Sequence, residues 1–572
     1  MRTSIRIGAT VLAVTLVLLG LLQPLEHDAR WLLFLWGAAP FIGIMLFLQL
    51  PPLPRGMNRS IYSVGLVLIV GFMLLSLQLL RQQVVQANAT YNRTQVDAVS
   101  GLITSNVRPV LSSQRVMRGK IFDRTGTLLV SSEAVAGGFA RRTYPVAERF
   151  DPNAFSNILG FFSTRFGQSG LESTYSDYLA GDRGNELNRL RDDLLGTPQV
   201  GNDLVLTLDA RLQARAAELL GDRIGSIVVL NPRTGAVIAM VSRPGFDPRS
   251  LSFDYAAPDW DAENARISQA WAQLNRDDSG LPLLNRAAQG QYPPGSTFKT
   301  VTAIAALENA NVGNPNDIHC YNELNVEVGA PPVVNAVENL ASLTGDPANL
   351  ERVYAYSCNV AFAQYALRVG ADRMEATARQ FDIYTPADAP TTYAGFTDLP
   401  ATPSRLYVQP GFLSRAAALA DTGYGQGQLL VTPLQMALIA AAVANDGVLM
   451  RPYLVQKITR PNGEVALDQA PRSIRRAMSA HTAQLMRANM AAVAKYGFGK
   501  IVSQMVPGVT VGGKSGTAQH VPGAPPHAWF IAIGPVEAAR YAVSVMVESG
   551  GEGSSVAGTL AGQVLQAAFE IE

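Results

Sequence analysis

The chain has 572 residues, 48% of them hydrophobic and only 16% charged, and its 46 basic and 45 acidic side chains leave a net charge of +1. So small a charged share, against roughly 25% in an ordinary soluble domain, points to a membrane-embedded portion. The apolar and aromatic content excludes global disorder. The near-zero net charge gives no bulk electrostatic reason to expect nucleic acid as a partner, and two cysteines exclude a disulfide-dense scaffold and a four-cysteine metal site.

Three uncharged apolar runs open the chain, Ile7 to Leu25, Trp31 to Leu50 and Ile61 to Leu80, each 19 or 20 residues long. That length lets a helix cross a hydrocarbon core of about 30 Å. Arg2 and Arg6 precede the first run and Arg55 and Arg59 separate the second from the third, whereas the first connection holds one arginine, Arg30. Positive-inside counting then puts the N-terminus in the cytoplasm and everything after Leu80 beyond the membrane. The sequons at Asn88 and Asn92 carry meaning only in a source that glycosylates secreted asparagines.

Composition turns polar at about residue 85. The stretch Arg118-Gly-Lys-Ile-Phe-Asp-Arg-Thr-Gly-Thr-Leu-Leu-Val130 predicts a strand, a tight turn at Thr125-Gly126 and a second strand. A polar segment follows from 151 to 200, with a loop at Gly181 to Gly184. Leu204 to Leu208 reads as a strand, Asp209 as the cap of a helix from Arg211 to Leu220, and Asn231-Pro-Arg-Thr-Gly235 as the turn between strands Ser226–Leu230 and Ala236–Val241. Helical patterns cover Thr297 to Leu307, Leu350 to Val369, Pro433 to Ala444 and His481 to Ala494, and the strands Ala528–Ile533 and Tyr541–Val547 end the chain. Strands at both ends with helices between them predict an α+β domain, its antiparallel sheet closed by the two ends and packed on helices.

Three short constellations carry the chemistry. In Tyr292-Pro-Pro-Gly-Ser296-Thr-Phe-Lys299 the spacing places a hydroxyl at a helix start and an amine one turn later on the same face. The helix end favours a developing oxyanion, and burial in that positive field lowers a lysine pKa, fitting Lys299 as the base that deprotonates Ser296. Alone, this spacing is also that of a capping serine beside a solvated lysine. Ser357-Cys358-Asn359, by itself uninformative, begins or interrupts a helix. Lys514-Ser515-Gly516-Thr517, in a predicted strand from Val509 to Gln519, offers an amine and two hydroxyls to a carboxylate, with Gly516 letting a substrate approach the backbone; the bland alternative is an edge strand with a protective lysine. Only six lysines occur, Lys120, Lys299, Lys457, Lys495, Lys500 and Lys514, and two of them fall in these places. Where a chain otherwise uses arginine, a retained lysine supplies an amine that can give up its proton.

Gly508 to Ser515 also fits the P-loop spelling G-x-x-x-x-G-K-[ST]. A P-loop needs a helix after the serine, and Gly516, Pro522, Pro525 and Pro526 forbid one.

Taken together and in this order, the three constellations resemble those of the penicillin-recognising serine acyltransferases. Arg118-Gly-Lys-Ile-Phe-Asp-Arg124, Tyr144-Pro145 with Gly170-Leu-Glu172, Gly425-Gln-Gly427 followed by Thr432-Pro-Leu-Gln-Met-Ala437, and His527-Ala-Trp-Phe530 narrow the resemblance to the class B penicillin-binding proteins, over about residues 115 to 570. The resemblance implies a penicillin-binding transpeptidase fold, with an elongated extracytoplasmic pedestal of the dimerisation-domain type at 86–200 and a transpeptidase domain at 201–572, following the membrane region of three transmembrane helices at 1–85 that the apolar runs predict. It implies Ser296 as the acylated nucleophile, Lys299 as its base, Ser357 as a proton relay and Asn359 as a holder of the substrate amide. Lys514, Ser515 and Thr517 then bind the substrate's terminal carboxylate, with Gly516 beside them as a substrate-binding position, and the backbone amides of Ser296 and Thr517 form the oxyanion hole. The implied reaction is D,D-transpeptidation of peptidoglycan stem peptides with release of D-alanine, a D-Ala-D-Ala carboxypeptidase side activity and covalent capture by β-lactams. No cofactor is implied, and a glycan polymerase of the SEDS type is the implied partner of the membrane helices and pedestal. A β-lactam-hydrolysing or β-lactam-sensing membrane protein shares the same three motifs. The class B penicillin-binding proteins usually carry one membrane anchor, so the two further spans are a departure.

The five histidines show no metal-ligand spacing, so no metal is expected. Cys320 and Cys358 both fall in the exported part, where disulfides persist; a bridge bracing the Ser357 loop and a pair of small buried thiols remain open as readings.

Overall fold

The structure, a computed structural model, describes residues 2–23, 28–48, 57–85, 94–96, 103–105, 114–183 and 199–571. The sequons at Asn88 and Asn92 and the end of the predicted loop at Gly184 lie outside these residues. The chain forms two compact units, Met1–Ser113 and Gln114–Glu572.

The first unit holds helices Arg2–Leu21, Asp28–Phe47 and Met57–Leu80, matching the three apolar runs. All three are long and apolar enough to cross a membrane. Ala13, Ala38 and Ile42 form their small core, with Val17, Val70 and Leu74 packed against it. Most other apolar side chains point outward, as expected where the surroundings are lipid. Two polar groups meet inside: the Trp31 indole donates to Gln78, and the Arg81 guanidinium donates to the Gly20 carbonyl at 3.1 Å. Each contact satisfies a group that hydrocarbon cannot.

In the second unit, a six-stranded sheet runs Val465–Asp468, Val455–Thr459, Asp203–Leu206, Ile121–Phe122, Leu128–Val135, Phe139–Thr143 in spatial order. Asp123 makes the predicted turn, its carboxylate accepting from the amides of Thr125 and Thr127. Beside this sheet Glu172 is fully buried between two guanidiniums, Arg118 Nε at 2.9 Å and Arg142 Nε at 2.6 Å. Burial alone would raise the Glu172 pKa, but the adjacent Arg142 and Arg118 charges outweigh it and hold the carboxyl below its ordinary value. A charge this deep is retained only when paired. The Arg118 and Gly170-Leu-Glu172 segments, 54 residues apart, are therefore one interlocked feature.

The second sheet has five strands, all antiparallel, in the order Val237–Arg243, Gly225–Leu230, Tyr541–Val547, His527–Gly534, Gly512–Ala518. The two ends of the domain thus meet at its centre, as the sequence predicts. Its strands are buried on both faces. Helices Ala210–Leu220 and Ala557–Ile571 pack on each other and on the sheet, and Pro433–Ala444 and Ala480–Lys495 form the second packed pair. Pro433–Ala444 is apolar all round because almost every one of its residues is buried. Asp209 caps its helix by accepting from the Arg211 amide.

Three elements differ in detail from their predicted spans. The helix expected from Thr297 begins as a tighter 3₁₀ turn, Gly295–Phe298, and becomes α-helical only over Lys299–Glu308. The pattern from Leu350 to Val369 is two helices, Leu350–Ala355 and Asn359–Val369, broken at Ser357, whose φ is +57°. Hydrophobic periodicity carries across such a break, whereas a single left-handed residue leaves no compositional mark. The strand from Val509 shortens to Gly512–Ala518.

Candidate active site

Ser296 sits on the 3₁₀ turn, where Lys299 N–H closes onto the Ser296 carbonyl. Three contacts fix the segment before it. The Trp529 indole donates to the Pro293 carbonyl at 3.0 Å, and the Tyr292 hydroxyl and Arg286 guanidinium both donate to Glu548 at 2.7 Å. A fourth contact is backbone on backbone: Gly295 N–H donates to the Gly425 carbonyl at 3.0 Å, and a Cβ at Gly425 would lie 1.9 Å from the Gly295 oxygen. Gly516 closes the other side. A Cβ there would lie 2.7 Å from the Pro294 carbonyl oxygen and 2.9 Å from Thr297 Cγ2, so glycine lets the serine turn press onto the edge strand.

The left-handed break delivers Ser357 and Asn359 to the same place. Lys299 Nζ reaches the Ser357 carbonyl at 2.6 Å, Ser357 Oγ at 3.0 Å and Asn359 Oδ1 at 2.7 Å. Lys514 Nζ, from the edge strand, reaches the same Ser357 Oγ at 2.9 Å. One hydroxyl thus lies between two amines that are both entirely buried. Burial first, and the neighbouring Lys514 charge second, push the Lys299 pKa well below that of a free lysine. Burial lowers Lys514 to about 7. Burial thus favours the neutral form of both amines, and the Lys514 charge favours it further at Lys299, an environment suited to a base. Ser296 Oγ makes no hydrogen bond among the described residues, and Lys299 is turned toward Ser357 and Asn359.

Cys358, between Ser357 and Asn359, is bonded to Cys320 as a disulfide, with Cα atoms 6.2 Å apart. This resolves the open reading of the cysteines in favour of the bridge. Asn359 is held further by its Nδ2 donating to the Val334 carbonyl at 2.9 Å.

Ser296, Ser357, Asn359, Ser515 and Thr517 all line one cavity of about 730 Å³. Lys299 and Lys514 are fully buried and are not among its lining residues. Thr517 Oγ1 accepts from Gly553 N–H at 3.1 Å, tying the segment after the last strand to the edge strand. Tyr356, Phe498, Asp421, Tyr424 and Glu552 also face the cavity, and none of them belongs to the three motifs read from the sequence. The Gly425-Gln-Gly427 match lay one residue from Tyr424, but no signal marked Glu552. The P-loop reading fails: Lys514 and Ser515 are central in a strand, paired with Ile531 and Phe530.

Comparison with known proteins settles the family. Residues 225–566 match the penicillin binding protein transpeptidase domain, and residues 118–204 match the penicillin binding protein A dimerisation domain. The chain is a class B penicillin-binding protein. It is 34% identical over 527 residues to the peptidoglycan D,D-transpeptidase PbpA of Mycolicibacterium smegmatis, covering 88% of this chain and 96% of the relative. It is 27% identical to the peptidoglycan D,D-transpeptidase MrdA of Escherichia coli, covering 75% and 71% of the two chains. The penicillin G acyl-enzyme complex of penicillin-binding protein A from M. tuberculosis superposes with a TM-score of 0.67 at 31% identity, covering 80% of this chain and 99% of that one. The penicillin-binding transpeptidase fold with an N-terminal pedestal therefore holds for this chain.

Proposed function

We infer that this penicillin-binding protein cross-links peptidoglycan as a serine D,D-transpeptidase, with Ser296 as its nucleophile and Lys299 as the base. The observation that carries this reading is the Ser357 hydroxyl bridged by two buried lysines of lowered pKa, in the cavity that Ser296 lines. Ser296 Oγ attacks the carbonyl carbon of the D-Ala–D-Ala peptide bond, and its proton passes to the Lys299 amine. The backbone amides of Ser296 and Thr517 receive the oxyanion. The proton then travels from Lys299 through Ser357 Oγ to the departing nitrogen, the C–N bond breaks, and D-alanine leaves an ester on Ser296. An acceptor amine attacks that ester and regenerates the hydroxyl. Lys514, Ser515 and Thr517 hold the donor's terminal carboxylate, and Asn359 holds its amide. A β-lactam enters the same sequence, but its opened ring has no group to release, and the ester persists.

Within this reading the chain divides into a membrane region at 1–85, a pedestal at 86–200 and a transpeptidase domain at 201–572. The N-terminus is cytoplasmic and the site lies outside the membrane with its polymeric substrate. A SEDS-type glycan polymerase meets the membrane helices and pedestal. The rival, a β-lactam hydrolase or sensor of the same fold, differs in the fate of the acyl-enzyme and in lacking transfer to an amine.

Labelled penicillin added to the wild-type chain yields a single modified peptide containing Ser296 by mass spectrometry, and Ser296→Ala yields none. Labelling of Ser296→Ala at another residue, or wild-type turnover of penicillin within seconds, overturns the assignment.

The two lysines also set a pH profile. The productive state has Lys299 neutral and Lys514 cationic. The second-order rate of penicillin capture falls at low pH, as Lys299 gains a proton, and falls again above about 7, as Lys514 loses its own. A penicillin whose carboxylate is esterified does not show the upper fall, because it makes no use of the Lys514 charge. Stopped-flow capture rates against pH read both limbs.

A further inference from the structure

Transfer needs a second substrate, and its nucleophile arrives in the wrong protonation state. A primary amine in neutral water is an ammonium, with a pKa near 10.4 as for a free lysine. The cavity must therefore receive a cation as well as the donor's carboxylate. Among the described residues its charged lining side chains are Asp421 and Glu552, both acidic, while the two lysines are fully buried and outside the lining.

The two carboxylates are not equivalent. Glu552 already accepts the hydroxyls of Ser554 and Ser555 and adjoins Gly553, which is bonded to Thr517 on the side assigned to the donor carboxylate. Asp421 is half-buried near the end of helix Ala416–Gly423, where the last carbonyls add negative potential. Its Oδ1 accepts the Tyr424 hydroxyl, and its Oδ2 takes no hydrogen bond among the described residues. The turn that follows is the one docked on the nucleophile: Gly425 accepts from Gly295, the residue before Ser296. Gln426 N–H bonds back to the Asp421 carbonyl at 3.0 Å, fixing the aspartate to that turn. Asp421 is thus a carboxylate with one free oxygen, facing the cavity, on the segment that seats the acylated serine.

We propose that Asp421, oriented by Tyr424, is the binding site for the acceptor's ammonium group, so that the second substrate is selected as a primary amine that arrives charged. This rests on the transpeptidase reading above. The bound ammonium loses one proton to water, its nitrogen attacks the acyl carbonyl, the ester C–O bond breaks, and a second nitrogen proton ends on Ser296 Oγ. Asp421 acts before these steps, by holding the acceptor where the freed lone pair meets the ester.

The test uses the full chain with a stem pentapeptide ending in D-Ala-D-Ala as donor. One acceptor is a tetrapeptide with a free side-chain ammonium, and the other is hydroxylamine, which is largely neutral at pH 7. Asp421→Asn raises the half-saturating concentration of the peptide acceptor by about tenfold or more, as expected for a lost hydrogen bond to a charged group. It changes that of hydroxylamine by less than about twofold. Equal effects on both acceptors, or none on the peptide, overturn the proposal. A measurement on the wild-type chain covers the case in which the variant fails to fold. The acceptor peptide with its amine dimethylated, still a cation, competes with the acceptor, and the same peptide acetylated does not; inhibition by both or by neither overturns the proposal. Penicillin capture at Ser296 is read in the same samples. Its loss in the wild-type chain defeats the functional reading, whereas acceptor discrimination lost with capture intact defeats this inference alone.

Discussion

Lys299→Arg lowers the rate of penicillin capture by about 10²–10⁴, the range associated with loss of a general base. The substitution keeps a cation and removes an amine able to exist without its proton. At position 299 the surroundings favour the neutral form: the residue is fully buried, and Lys514 shares Ser357 with it. An arginine stays charged, so Ser296 has no acceptor for its proton. Lys299→Met separates charge from volume. It removes the base while adding no bulk, and it leaves the Ser357 carbonyl and Asn359 Oδ1 without their donor. Both variants lose capture if the amine is the base. Capture by Lys299→Arg at a rate near that of the wild-type chain shows that charge alone suffices and removes Lys299 from the mechanism.

Gly425→Ala has the second large effect, and it acts through position. The residue has φ of +88°, and its missing Cβ would stand 1.9 Å from the Gly295 carbonyl oxygen. The strained backbone costs about 1–3 kcal/mol, and the clash can be relieved only by moving one of two backbones. Ser296 follows Gly295 directly, so the proposed nucleophile moves with it. A displacement of about 1 Å costs on the order of a hundredfold in rate. Thermal melting and capture rate per folded molecule, measured together, separate the two contributions. A variant that melts earlier yet captures penicillin at the wild-type rate shows that the contact serves stability alone. Gly463→Ala is the control, having a similar φ of +86° and open space around its Cβ.

Much of this arrangement is readable from the sequence, for identifiable reasons. The strands at 225–243 and 527–547 are continuous apolar runs because both faces of their sheet are covered, and such runs survive without knowledge of the partner strands. The spacing of Ser296 and Lys299 is local and places both on one turn. What Lys299 touches is not local: its acceptors lie 58 and 60 residues away, across a helix break made by a single left-handed serine. The cavity walls were hidden for the same reason. Asp421 and Glu552 are ordinary polar residues in their own segments, and only the fold brings them before Ser296. Gly516 is the instructive case. The sequence reading assigns it to substrate approach, whereas the fold shows the serine turn itself occupying the space its side chain would need.

The depth of the two central amines has a practical side. Lys120, Lys495 and Lys500 are exposed and Lys457 is partly so, whereas Lys299 and Lys514 present no surface at all. Reagents that acylate or alkylate primary amines from solution meet the first four and are shut out from the other two. Coupling to a bead, a dye or a sensor chip through ordinary amine chemistry therefore leaves the two central lysines untouched, and the immobilised protein keeps its appetite for β-lactams.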